Sequence, residues 1–297
     1  MKKIYCASVS PFSKDNRPDP DSLERILDRN LKHGVSGAFI LGTMGEWAQI
    51  DEDERDVFIR TASDVMKSRG ELLVGISSNS LRATLKNLEC AMKYEFDSFV
   101  VMLPGRRTSQ LPPLDYLSEV FAASDRPVYY YHCPSNNGLE LSMSEFRELV
   151  KNPKLKGIKN SAGNMQLRKE LLMLKSEYDF MLLEGHEWSV DDALMAGCDG
   201  ALCGIGSLAS KPLVELARAV DAEDYSTART LQHSLIKIFH GIYGTKCQTS
   251  WLGQKYALYS LGLMDSATCR VQPDSLLTPE RKEEVTACLE KNATLLD

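Results

Sequence analysis

Leu155-Lys156-Gly157-Ile158-Lys159-Asn160-Ser161-Ala162-Gly163 reads as a short strand of residues alternating in character, with a glycine near each end. The alternation puts Lys159 near the C-terminal end of that strand, in line with Leu155 and Gly157. A lysine inside a buried strand is costly to keep charged, so its pKa falls, and a neutral amine is a nucleophile toward carbonyl carbon. On a half-exposed strand the same residue is only a surface charge. The rest of the chain decides between the two readings.

Apolar runs of strand length recur at residues 4–10, 37–42, 71–77, 98–104, 127–133, 155–161, 179–185 and 200–206. Segments of helical period lie between them. After the first run Leu23, Ile26, Leu27 and Leu31 share a face, with Asp21 and Glu24 spaced as a capping box and Gly34 beyond the end. Asp51 and Glu54 repeat the box ahead of Phe58, Ala62, Val65 and Met66. Ser80 is placed to cap a helix carrying Leu81, Leu85, Leu88 and Met92. Leu167, Leu171 and Leu174 follow the sixth run, and Pro212 opens a helix after the eighth. Eight nearly continuous apolar strands alternating with helices predict an α/β fold, a (β/α)8 TIM barrel over residues 1–221. Residues 222–297 predict a C-terminal helical extension, with helices near 225–242, 249–261 and 279–289 and Pro273 in a connector. An open doubly wound sheet is the alternative, and no G-x-G-x-x-G follows the first strand to support it.

The 297 residues suffice for a full core, and 43% hydrophobic with 26% charged residues is an ordinary globular balance. A net charge of −6 argues against nucleic acid or an anionic membrane as partner. No apolar run approaches the roughly 18 residues of a membrane span, and the N-terminus lacks the apolar core of a signal peptide. The eight cysteines form no C-x-x-C pair, so reduced thiols in a cytoplasmic protein are expected rather than disulfides or zinc.

The site of such a barrel lies at the C-terminal ends of its strands. Those ends read Val9-Ser10-Pro11-Phe12, Gly42-Thr43-Met44-Gly45-Glu46, Tyr129-Tyr130-Tyr131-His132-Cys133-Pro134, Lys159 with Ser161, and Glu184-Gly185-His186-Glu187-Trp188. The turn at 42–45 can converge backbone N–H groups on an anion, with the Thr43 hydroxyl as a further donor. A tyrosine beside a buried lysine can move protons at a carbonyl carbon or an alkoxide. His132, His186 and Glu184 offer a metal-hydrolysis alternative, but no third histidine stands at a strand end.

G-T-M-G-E around Thr43, Y-H-C-P-S-N-N-G from Tyr131 and G-I-K-N-S-A-G around Lys159 together resemble the dihydrodipicolinate synthase and N-acetylneuraminate lyase family of class I, pyruvate-dependent aldolases. The resemblance spans essentially the whole chain. It implies a Schiff base between Lys159 and pyruvate or another 2-oxo acid, whose carboxylate lies in the Thr43–Met44 turn while Tyr131 relays the proton. It implies no dissociable cofactor and no metal, the covalent imine being made from the substrate. Met44, Asn136, Ser161, Gly185, Glu187 and Leu202 would face that substrate, and a homotetramer is implied.

Several positions depart from the family's pattern. Asn136 stands where synthases acting on aspartate semialdehyde carry an Arg, and Met44 replaces the second Thr of G-T-T-G-E. Gly105, Arg106 and Arg107 stand where synthases lend a tyrosine to a neighbouring subunit. Ser161 and Glu187 instead match hydroxyl-handling positions of sialate lyases, although Trp188 replaces a second acidic residue. The resulting expectation is an aldolase or lyase for a hydroxylated 2-oxo acid, N-acetylneuraminate or a 2-keto-3-deoxy sugar acid leading. Dehydration of a sugar acid, dihydrodipicolinate synthesis and a non-catalytic sugar-acid-binding relative are the alternatives.

Overall fold

The computed structural model describes residues 1–105 and 111–297, so Arg106 and Arg107 lie outside the described residues. Among these residues eight strands close into a barrel in chain order: β1 (Lys3–Ala7), β2 (Gly37–Ile40), β3 (Glu71–Gly75), β4 (Ser98–Val101), β5 (Val128–His132), β6 (Leu155–Asn160), β7 (Met181–Glu184) and β8 (Gly200–Cys203). All neighbours are parallel, and β8 closes on β1. Around them run α1 (Pro20–Lys32), α2 (Glu52–Met66), α3 (Leu81–Ala91), α4 (Pro113–Ala123), α5 (Pro134–Asn137), α6 (Met143–Leu149), α7 (Met165–Lys175), α8 (Val190–Ala196) and α9 (Gly206–Asp221). Beyond them come α10 (Tyr225–Tyr243), α11 (Ser250–Ser260), α12 (Pro279–Lys291) and α13 (Ala293–Leu296).

Each expected strand exists, but each stops short of the C-terminal end of its apolar run. The surplus residues, Ser8, Ser10, Ile76 and Leu103 among them, stay buried beyond the strands, Ile76 and Leu103 in the layer under the helices. Side chains alternate between an interior cluster (Tyr5, Phe39, Leu73, Val100, Tyr129, Tyr131, Leu183, Leu202) and an outer layer under the helices that holds Val74, Val101, Tyr130, Ile158 and Leu182. Burial on both faces is why the strands read as unbroken apolar runs.

One expectation about β6 is corrected. Leu155 does not share a face with Lys159; it packs in the outer layer, while Gly157 lies inside against Tyr129. Val128 pairs with Leu155 but Tyr129 pairs with Gly157, so β6 carries one extra residue there, the exposed Lys156. That bulge resets the alternation and turns Lys159 into the barrel.

The caps follow the sequence with two corrections. Asp51 and Glu54 form the expected capping box and Ser80 accepts from the Ala83 amide. In α1 the cap is Asp19, which accepts from the Ser22 amide, because Pro20 occupies the first helical position. The helical range α9 starts earlier than expected, at Gly206, but a break at Ala209 (φ −109°, ψ 39°) divides it, and Pro212 stands in the first turn of the longer helix that follows.

A single apolar cluster joins Ile4, Cys6 and Val9 of the first strand and its loop to Leu231, Leu235, Ile238, Val285, Leu289 and Leu296 beyond residue 222. The late helices therefore share a core with the barrel wall. No helix among the described residues is long and apolar enough to cross a membrane.

Candidate active site

Lys159 and Tyr131 are the penultimate residues of adjacent strands and are directly paired in register. Both side chains enter the barrel at its C-terminal mouth. Lys159 is 4% exposed, with its Nζ 3.9 Å from the Tyr131 ring centroid and 5.2 Å from that of Phe39. Among the described residues it makes no ion pair, unlike the buried Arg168 and Lys255. Burial pulls its pKa from 10.5 to about 8, with Cys133, Glu187 and Cys203 pulling the other way. The aromatic faces favour the ammonium modestly, and desolvation outweighs them. About a tenth of the amine is thus neutral at pH 7, against less than about a thousandth for a free lysine.

The close fit around this lysine explains a glycine. A Cβ on Gly185 would stand 2.9 Å from Lys159 Cε and 2.1 Å from Ser161 Oγ. Ser161 Oγ donates to the Gly185 carbonyl at 3.1 Å. The Tyr131 hydroxyl meets Thr43, Ser161 and Cys133; burial raises its pKa, and the contacts with Thr43 and Ser161 draw it back down.

The turn after β2 has three of its carbonyls tied and three of its amides free. Gly42 O accepts from Trp47 N (3.4 Å), Thr43 O from Glu46 N (3.1 Å) and Trp251 Nε1 (2.8 Å), and Gly45 O from Ser10 Oγ (2.7 Å). The N–H groups of Thr43, Met44 and Gly45 meet no acceptor among the described residues. Leu41 (φ 56°) and Glu46 (φ 54°) bracket the turn in the left-handed region, each at a cost of about 1–2 kcal/mol. Successive amides held this way form a cradle for an anion.

The remaining expected residues divide. Asn136, at the end of α5, donates from Nδ2 to Thr43 Oγ1 at 2.9 Å, so it joins the cluster. Glu187 lies at the rim, and its Oε1 accepts the amides of Gly204 (2.6 Å) and Ile205 (3.3 Å) at the start of α9. Met44 is buried and lies beside Gly204 and the Glu187 carboxylate. Leu202 is fully buried within the interior cluster. Trp188 turns away onto α10, its ring 4.8 Å from that of His240.

His132, Glu184 and His186 are not gathered into a metal site. His132 and Glu184 share the outward parity of Tyr130 and Leu182; the first packs on Phe146 and the second pairs with Arg168 at 3.0 Å. No group of three or more His, Cys, Asp or Glu among the described residues is arranged to hold a metal ion.

Sequence reasoning missed the part played by α11. Trp251, Gln254 and Lys255 lie at i, i+3 and i+4 on one face. Besides the Trp251 bond, Gln254 Nε2 donates to Gly204 O at 3.1 Å, and Lys255 pairs with Glu46, both fully buried. The sequence shows only that an indole and two polar groups share one face of the helix; their partners lie too far along the chain for that pattern to name them.

The Dihydrodipicolinate synthetase family model matches residues 1–292. The chain belongs to this family. Its members are pyruvate-dependent class I aldolases and lyases working through a Schiff base without a metal, and this chain is an enzyme of that class. A curated 4-hydroxy-tetrahydrodipicolinate synthase of Thermosipho africanus is 24% identical over 266 residues, covering 89% of each chain. CdNal of Clostridium difficile, solved with mannosamine, superposes at TM-score 0.89 with 21% identity, covering 98% of this chain and 99% of that one. YagE of E. coli, solved with pyruvate, gives TM-score 0.86 at 23% identity, with 98% of each chain covered. At these identities the two superpositions speak to the fold.

Proposed function

We propose that Lys159 is the amine that forms the Schiff base and that the enzyme makes or breaks the carbon–carbon bond between pyruvate and the aldehyde of a hydroxylated 2-oxo acid. The observation that carries this reading is a buried lysine with no ion-pair partner among the described residues, its pKa lowered to about 8, paired in register with Tyr131 beside three free amides. The neutral amine adds to the 2-oxo carbon and water leaves, giving an iminium. The Thr43, Met44 and Gly45 amides and the Thr43 hydroxyl hold the carboxylate without a mobile charge. Tyr131 gives its proton to the hydroxyl that leaves as water when the iminium forms. In the cleavage direction it then takes the proton of the C4 hydroxyl, the C3–C4 bond breaks, and the electron pair of that bond moves into the iminium as an enamine. Protonation at C3 and hydrolysis then release pyruvate.

Asn136 and Ser161 support the hydroxylated substrate. The Asn136 amide binds Thr43 and brings no positive charge for a second carboxylate, and Ser161 adds a hydroxyl beside Lys159. In this reading Glu187 keeps Oε1 on the loop after β8 and offers its other oxygen to a substrate hydroxyl. Met44 fills the wall next to it. Dihydrodipicolinate synthesis is the second reading, favoured by the names of relatives such as the Thermosipho africanus enzyme.

Pyruvate followed by borohydride should add one three-carbon unit, mapping to Lys159 and absent from Lys159→Arg, whose guanidinium stays charged. Pyruvate release should follow from N-acetylneuraminate, 2-keto-3-deoxygluconate or 4-hydroxy-2-oxoglutarate. Condensation with aspartate semialdehyde faster than every cleavage would replace the first reading by the second. Absence of any adduct would remove both. Light scattering tests the homotetramer that belongs to the same proposal.

A further inference from the structure

Helix α11 contacts no reacting atom in this reading, yet it fixes both loops that flank the mouth beside β1. Trp251 Nε1 reaches the Thr43 carbonyl (2.8 Å), Gln254 Nε2 the Gly204 carbonyl (3.1 Å), and Lys255 the Glu46 carboxylate. The Glu46 carboxylate also accepts the amides of Arg270 (2.6 Å) and Val271 (3.0 Å), while Lys255 Nζ donates to Thr268 O (2.9 Å). Glu46 itself is held in the left-handed region, so its backbone needs outside support to keep the turn's shape.

We propose that Trp251 and the Lys255–Glu46 pair are positioning groups for substrate carboxylate binding: they hold the turn by its carbonyl and acidic side so that the Thr43, Met44 and Gly45 amides stay aimed at the substrate. The inference rests on the Schiff-base reading above. It differs from a scaffolding role in what it predicts. A loosened cradle binds the carboxylate less tightly in the ground state, while Lys159, on the opposite side of the mouth, reacts unchanged once substrate is bound.

The test uses the full chain in two variants. Trp251→Phe deletes one N–H and keeps an aromatic ring. Glu46→Gln/Lys255→Met removes both buried charges together, so neither is stranded. Borohydride trapping across pyruvate concentrations gives a half-saturating concentration and a maximal rate, and thermal unfolding gives Tm. Trp251→Phe should raise the half-saturating concentration about three- to tenfold, the value of one hydrogen bond, with the maximal rate within about twofold. The double variant should shift it further. If that variant does not fold, Trp251→Phe decides alone. An unchanged half-saturating concentration in Trp251→Phe, with or without a lower Tm, overturns the inference while leaving the Schiff base standing. No adduct in the unsubstituted protein overturns the reading beneath it, and this inference with it.

Discussion

Two lysines are buried among the described residues, and they are opposites. Lys159 faces two aromatic rings, with no ion-pair partner among the described residues. Lys255 lies 4.3 Å from the Phe12 ring but touches the Glu46 carboxylate and donates to a backbone carbonyl. Burial pulls both below the ordinary lysine value; at Lys255 the Glu46 charge opposes that pull and holds the ammonium in place. Desolvation alone therefore does not make a nucleophile. The missing counter-charge does, and the same residue type serves as reagent at one end of the mouth and as fastening at the other.

The sharpest way to break this contrast is one substitution made at each site. Lys159→Met should abolish the pyruvate adduct entirely, and Lys255→Met should still form it wherever the protein folds. An adduct surviving in Lys159→Met, seen by intact mass, would erase the distinction.

Stability should then move in opposite directions. Lys255→Met leaves Glu46 charged and unpaired in the interior, a loss of about 3–5 kcal/mol by denaturant unfolding. Lys159→Met removes an amine whose fall from 10.5 to about 8 costs the fold about 3 kcal/mol, so the variant should gain up to that amount at neutral pH. The sign with pH follows. Below about 8 both folded and unfolded chains carry the proton and the cost is complete. From about 8 toward 10.5 the unfolded chain keeps a proton that the folded chain has lost, so the gain from the substitution should shrink and vanish. A gain that does not depend on pH would point to packing instead.

The smallest effect is a slope. Cyanoborohydride trapping at saturating pyruvate should quicken about tenfold for each pH unit well below 8, then level off as Lys159 becomes neutral. A level profile across that range would mean that the amine is already free and that its surroundings do not tune it.

What could be read from the chain follows the distance over which each signal acts. Strands and caps are local, so the eight apolar runs, the Asp51–Glu54 box and the Ser80 cap were legible, and Thr43, Tyr131 and Lys159 fell on strand ends in the right order. The strand ends were overread because Ile76 and Leu103 stay buried under the helices beyond the last residue of each strand, so the apolar run outlasts the strand. Pro20 displaced the cap of α1 by its own preference for the first helical position. Trp251 and Lys255 lie more than two hundred residues from their partners in the turn, beyond the reach of any periodicity. Trp188 shows the same limit from the other side, folded onto α10 against His240.

The extra residue at Lys156 has a genetic corollary. Loss of that single codon would leave a regular strand in which Gly157 follows Leu155 directly, and by parity the amine would keep its place in the chamber. A codon gained between Gly157 and Lys159 and taken into the ladder would do the reverse: the amine would turn beneath the helices, with every residue of the chemistry still encoded, in order.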